Sequence, residues 1–170
     1  MLRAGFVALC LASTSGCSLL LDFSPGAIPV DAPPEPPYSQ AECDFGEPNT
    51  APTEATPLLP TDVGPAAICA GDPEDHDFYR FTVPAGTASV TVKIAATNGT
   101  DRDLDLRILD ATGATTLGQS RGVEDTETVV CPGASPKCLA LAAGDYLFEV
   151  FPATGGAINR YDISLTITPM

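Results

Sequence analysis

The stretch DFYRFTVPAG, residues 77–86, decides how the rest of the chain is read. Tyr79, Phe81 and Val83 alternate with Arg80 and Thr82, and Pro84, Ala85 and Gly86 close the run with a turn. Successive side chains on a strand point to opposite faces. The alternation therefore directs three apolar groups into a core and leaves Arg80 and Thr82 toward water. It also marks where a folded domain begins.

Working toward the C-terminus, residues 88–95 set Val90, Val92 and Ile94 against Thr91 and Lys93, a period of two that fits a half-buried strand better than a helix. Asn98 and Gly99 supply a turn. Leu104, Leu106 and Ile108 then make a buried face with Asp103, Asp105 and Arg107 opposite, and Gly113 ends that strand. Weaker strands are expected over 115–120, 126–130 and 138–141. Strong ones are expected over 146–150, with Tyr146, Phe148 and Val150 inward, and over 161–167, with Tyr161, Ile163, Leu165 and Ile167 inward. Toward the N-terminus one more strand is expected at 66–70. About eight strands, short turns and no helical period imply an all-β protein, an antiparallel β-sandwich.

With 170 residues the chain has room for one such domain. Lys and Arg total 8 against 22 Asp and Glu, a net charge of −14, so the surface would repel a phosphate backbone and nucleic acid is excluded as a partner. The single histidine and the absence of tryptophan leave no material for a multi-histidine zinc site or an indole platform for sugars.

At the N-terminus Arg3 precedes an apolar run over 4–12 that is too short to span a bilayer, followed by Ser13, Thr14, Ser15, Gly16 and Cys17. Residues 1–16 read as a signal peptide. Small residues ending in Gly before a Cys resemble the lipobox of bacterial lipoproteins, which implies a lipidated Cys17 carrying diacylglycerol and palmitate-type chains, each buried methylene contributing ~0.8 kcal/mol. Ser18 after Cys17 resembles an outer-membrane sorting signal, on either the periplasmic or the exposed side. Ordinary secretion with cleavage elsewhere is the alternative. Residues 17–42 hold Pro25, Pro29, Pro33, Pro34, Pro36 and Pro37 and read as an extended tether.

Four cysteines then remain in an exported domain, Cys43, Cys69, Cys131 and Cys138, and an oxidising compartment implies two disulfides. Three connectivities exist. We favour Cys131 with Cys138 across CPGASPKC, and Cys43 with Cys69 stapling the N-terminal segment to the first strand. Neither spacing is that of a zinc or redox motif.

The central strand, the acidic loop GDPEDHD before it (71–77), DLDLRILD (103–110) and AAGDYLFEV (142–150) together resemble the bacterial pre-peptidase C-terminal domain, the non-catalytic sandwich found beside secreted peptidases and collagenases. The resemblance implies a jelly-roll-like sandwich over 43–170. The run EPN at 47–49 resembles the segment through which collagenase-type members bind calcium together with an acidic loop. This implies Ca²⁺ ligands among Glu47, Asn49, Asp72, Glu74, Asp75 and Asp77. Apart from any family, four carboxylates within six residues repel unless a cation or water separates them, and hard oxygen donors suit Ca²⁺. A solvated acidic loop without metal is the other reading.

Nothing in the sequence assembles a catalytic apparatus. Asp103 and Asp105 share one face of one strand, whereas glycosidase carboxylates face each other across a sugar. His76 has no nucleophile motif beside it. Asn98, Gly99 and Thr100 match a glycosylation acceptor but read better as a turn. The expectation is a monomeric, non-catalytic, lipid-anchored envelope module that touches matrix, polysaccharide or an envelope protein, with calcium as a stabiliser. The alternative is an accessory or chaperone-like domain serving a secreted peptidase.

Overall fold

The computed structural model describes residues 38–43, 45–61, 64–71, 74–97, 102–135 and 137–170. The signal peptide, Cys17, most of the tether, Asp72 and the turn at Asn98, Gly99 and Thr100 lie outside the described residues.

Two sheets face each other, as the period-two patterns require. One has the order β1 (Thr56–Pro57), β3 (Asp77–Val83), β10 (Gly144–Pro152), β5 (Leu104–Leu109), β6 (Thr116–Ser120). The other has the order β2 (Pro65–Ile68), β11 (Asn159–Pro169), β4 (Thr87–Ala96), β7 (Thr126–Cys131). All pairings are antiparallel except that of β1 with β3. The expected strands are present, and the chain is an all-β sandwich. Only the 138–141 segment differs. It is reduced to β9 (Lys137–Cys138), which pairs with β8 (Gly133–Ala134) in a small hairpin drawn in by the Cys131–Cys138 disulfide.

The core lies between the sheets. Tyr79, Phe81, Val83, Leu104, Leu106, Ile108, Phe148 and Val150 meet Val90, Val92, Ile94, Val129, Tyr161, Ile163 and Leu165, all buried. Each such side chain contributes roughly 1.5–3 kcal/mol by leaving water. Tyr79 stacks on Phe148 at 4.9 Å between ring centroids, with Phe81 6.1 Å from the same ring.

The alternation holds on the inner face but not on the outer one. Phe78, Leu109 and Leu147, which a half-exposed sheet would leave wet, are buried in a second cluster with Ala55. The 3₁₀ turn Pro52–Glu54 and the residues after it lie over the sheet there, since Pro52 sits where a Cβ on Gly113 would fall, 2.6 Å away. Asp105, expected to face water, is likewise only 3 % exposed, with Arg121 Nε donating to its Oδ2 at 3.0 Å. Sequence period reports which face a residue takes, and says nothing of what later covers that face.

Candidate metal centre

The centre forms where the N-terminal segment crosses the start of β3. A short helix, Gln40–Cys43, is closed by Ser39 and Glu42, whose backbone N–H groups each donate to the other's side chain. Cys43 is bonded to Cys69, with Cα atoms 6.0 Å apart. The chain then turns at Gly46, whose φ of +82° suits glycine, and Thr56 Oγ1 donates to the Gly46 carbonyl. This delivers Glu47 and Asn49 beside β3, where Phe78 N–H donates to the Asn49 carbonyl at 2.9 Å.

Glu47, Asp75 and Asp77 each present one oxygen within 4.8 Å of the other two. Asn49 is fully buried among them, and its backbone N–H donates to Glu47 Oε2 at 2.9 Å. With its side-chain nitrogen inward, Asn49 donates to Asp77 Oδ1 and Glu47 Oε1, each at 3.1 Å. With the side-chain oxygen inward, oxygens alone converge at that spacing, an arrangement that a proton or a cation would reconcile.

Of the six expected ligands the fold therefore gathers Glu47, Asn49, Asp75 and Asp77. Glu74 points elsewhere, accepting Gly156 N–H at 2.7 Å and lying 3.8 Å from His76 Nε2. Asp75 uses Oδ2 to accept Cys69 N–H at 2.7 Å, so the disulfide-anchored strand end also orients a carboxylate of the centre.

Asp77 is 2 % exposed. Burial pushes its carboxyl well above the ordinary range, and the charges of Asp75 and Glu47 add to the shift against hydrogen bonds from Tyr161 and Asn49. Burial also raises Asp75. Such a site holds either a proton or a cation. The donors are hard oxygens from two short segments, and they fit Ca²⁺, whose coordination tolerates irregular sets of carboxylate and amide oxygens.

Two participants were not foreseen. Tyr161, from β11 of the opposite sheet, donates its hydroxyl to Asp77 Oδ2, and Tyr79 OH lies 2.9 Å from Tyr161 OH. The Tyr161 hydroxyl occupies one oxygen of Asp77 and leaves Oδ1 to the centre, so the site spans both sheets. A buried tyrosine needs a partner for its hydroxyl, which was the signal available in the sequence.

Beyond this centre, His76 is held in an ion-pair network. Its Nδ1 lies 2.7 Å from Glu149 Oε1, Arg107 Nε donates to Glu149 Oε2, and Phe151 lies under both Arg107 and Arg121. Glu149 is fully buried, which explains the conjunction, since a buried carboxylate requires such partners. Asp103 and Asp105 form no facing pair. Asp105 is committed to Arg121.

Comparison with known proteins gives the same architecture. Residues 75–152 match the family described as bacterial pre-peptidase C-terminal domain. No curated protein matches the sequence. Among solved structures the chain is similar to the pre-peptidase C-terminal domain of collagenase from Bacillus anthracis, at 12 % identity over 66 % of this chain and 94 % of that one, with a TM-score of 0.50. It is more distantly similar to a CBM4 structure, at 18 % identity over 65 % and 76 % of the two chains with a TM-score of 0.44. A third is the carbohydrate-binding module CBM36 in complex with calcium and xylotriose, at 18 % identity over 64 % and 89 % with a TM-score of 0.37. At these identities the first likeness speaks for the fold alone, and the other two carry no weight here.

Proposed function

We propose, from the premise that residues 75–152 are a bacterial pre-peptidase C-terminal domain, that this protein is a non-catalytic binding module displayed at the cell envelope. In this reading it is tethered through a lipid on Cys17 and stiffened by Ca²⁺ held between Glu47, Asn49, Asp75 and Asp77. Its partner is a matrix polymer, a polysaccharide or an envelope protein. The observation that carries the reading is the buried carboxylate of Asp77 standing beside two others and an amide that can turn its oxygen inward.

The ion's contribution is electrostatic. It replaces repulsion among three carboxylates with attraction, and so fastens residues 47–49 to the start of β3. No step of chemistry is asked of it. The network around His76 agrees with a role other than catalysis, since its ring nitrogens face Glu149 and Glu74. A ligand that binds only the folded state adds RT ln(1 + [L]/Kd), about 2.7 kcal/mol at a hundredfold excess. Extracellular calcium modules work near 10⁻⁴–10⁻³ M. Melting of the protein in millimolar calcium and in chelator tests this. A midpoint several degrees higher in calcium, lost in a Glu47→Gln/Asp75→Asn double variant, is the expected result. Equal midpoints together with no heat of binding would leave the acidic loop a solvated surface. Co-purification of the lipidated protein with a secreted peptidase would instead favour the accessory-domain reading.

A further inference from the structure

The two outer faces of the sandwich differ in what covers them. On the sheet holding β3, β10 and β5, the residues after Pro52 bury Phe78, Leu109 and Leu147, and ion pairs to Glu149 and Asp105 lie beside them. On the other sheet the helix Gln40–Cys43 flanks β2, held there by the disulfide to Cys69. Beyond it β11, β4 and β7 present an open face, with Lys93, Thr126, Asp162 and Thr166 exposed.

Alternation fixes what that face carries. Val92, Val129 and Ile163 point into the core, so their neighbours Lys93, Thr128 and Ser164 point outward. Register sets these three side by side, Lys93 opposite Ser164 on β11 and opposite Thr128 on β7. In the next outward row Thr91 stands between Thr166 and Val130, and on the other side Ala95 stands between Asp162 and Thr126. Outward side chains thus repeat about 4.8 Å apart across the strands and about 6.8 Å apart along them, on the scale of a pyranose ring. The hydroxyls of Thr91, Thr128, Ser164 and Thr166 make no hydrogen bond to another described residue, and Lys93 has no ion-pair partner among them.

The face selects its partner by what it lacks. A polyanion is repelled by a chain of net charge −14, and these rows offer it one lysine balanced by Asp162. A protein interface needs a desolvated apolar or aromatic centre, and only Val130 and Ala95 are apolar in these rows. A neutral polymer dense in hydroxyls is complementary, since its groups donate and accept as those of threonine and serine do. A trough of about 550 Å³ extends the face past the Ala95–Asp162 row, and there Arg102 and Arg160 add guanidinium donors to the Thr97 hydroxyl.

We propose that the binding module inferred above uses this face of β11, β4 and β7, with the trough at its end, to hold a neutral polysaccharide; the assignment rests on that reading and adds its surface and its ligand class. With no aromatic ring in these rows, hydrogen bonds rather than stacking carry the contact.

The test titrates the isotope-labelled full chain, in detergent with calcium present, with hydroxyethyl cellulose, dextran, a mannan and an arabinoxylan, and with polygalacturonate as the anionic control. Amide signals of Thr91, Lys93, Thr128, Ser164 and Thr166 should shift with at least one neutral polymer, while those of Phe78 and Leu147 on the opposite sheet stay in place. Raising the salt should leave that affinity unchanged, because the contact joins no opposite net charges. A Thr91→Val/Thr166→Val variant keeps shape and strand preference while removing two hydroxyls, and should bind about tenfold more weakly, each lost hydrogen bond being worth a few-fold. Thr128→Val/Ser164→Ala serves the same purpose if that variant does not fold. Shifts confined to another surface, or binding of polygalacturonate alone, would overturn the proposal and leave the binding-module reading intact. Affinity unchanged in the hydroxyl variants would overturn it too. No shift with any polymer would sink it, and the module reading falls with it only if immobilised wild type also retains nothing from an envelope extract.

Discussion

Asp77 shows how one buried carboxyl links stability, pH and metal. Its folded pKa stands well above the ordinary value of 3.8, chiefly through burial, so the folded state keeps a proton that the unfolded chain has already lost. The stabilisation from that proton is fully present below pH 3.8 and disappears as pH rises through the folded value. Asp110, held down to about 2 by the Thr112 and Thr115 hydroxyls, has the opposite sign, contributing above its ordinary value and losing that contribution as pH falls toward 2. In chelator, the stability of wild type relative to Asp77→Asn should therefore decline from about pH 4 to neutrality. At neutral pH without calcium, Asp77→Asn should be no less stable than wild type, because the neutral amide removes the cost of burying a carboxylate beside Asp75 and Glu47. In saturating calcium the order should invert. Thermal melts of both proteins across pH, with and without chelator, check this. A variant less stable than wild type in every condition would mean that Asp77 acts only as an acceptor for Tyr161.

At the scale of elements, the N-terminal segment is what turns a sandwich into a site. Gly113 sits at a φ of +78° in the turn between β5 and β6, with Pro52 directly against it. Gly113→Ala meets both a disfavoured backbone and a Cβ 2.6 Å from Pro52 Cγ. A loss of roughly 1–3 kcal/mol is expected, measured by denaturant melts. The Cys43–Cys69 disulfide, spanning 26 residues, holds the other end of the same segment. A Cys43→Ser/Cys69→Ser variant should lose about 3–4 kcal/mol on the loop-entropy estimate, and should also bind calcium more weakly because Glu47 and Asn49 are no longer delivered to β3. Calorimetry that finds calcium affinity unchanged in the stapleless protein would show that β1 and the Pro52 contact suffice.

For the molecule as a whole, the proposed lipid on Cys17 determines where the sandwich works. Among the described residues no helix is long and apolar enough to cross a membrane. Cys17→Ser should shift the protein from the membrane fraction to the soluble one, and wild type should take up a fatty-acid analogue on metabolic labelling. Unlabelled, freely soluble wild type would remove the anchor from the proposal. The strand pattern and the all-β class were legible in the sequence by itself, because side-chain alternation and short turns are local consequences of backbone geometry, whereas the favoured cysteine pairing was one of three until the fold decided it. The gathering of EPN with the acidic loop entered through a family resemblance. Only the tertiary structure decided that Asp105 is buried, that Phe78 and Leu147 have a second cover, that Glu74 turns away to Gly156, and that Tyr161 reaches across the sandwich to Asp77. Those facts depend on which distant segments come to rest against one another, and the free energy of burying a charge or a ring is set by that environment rather than by its neighbours in the chain.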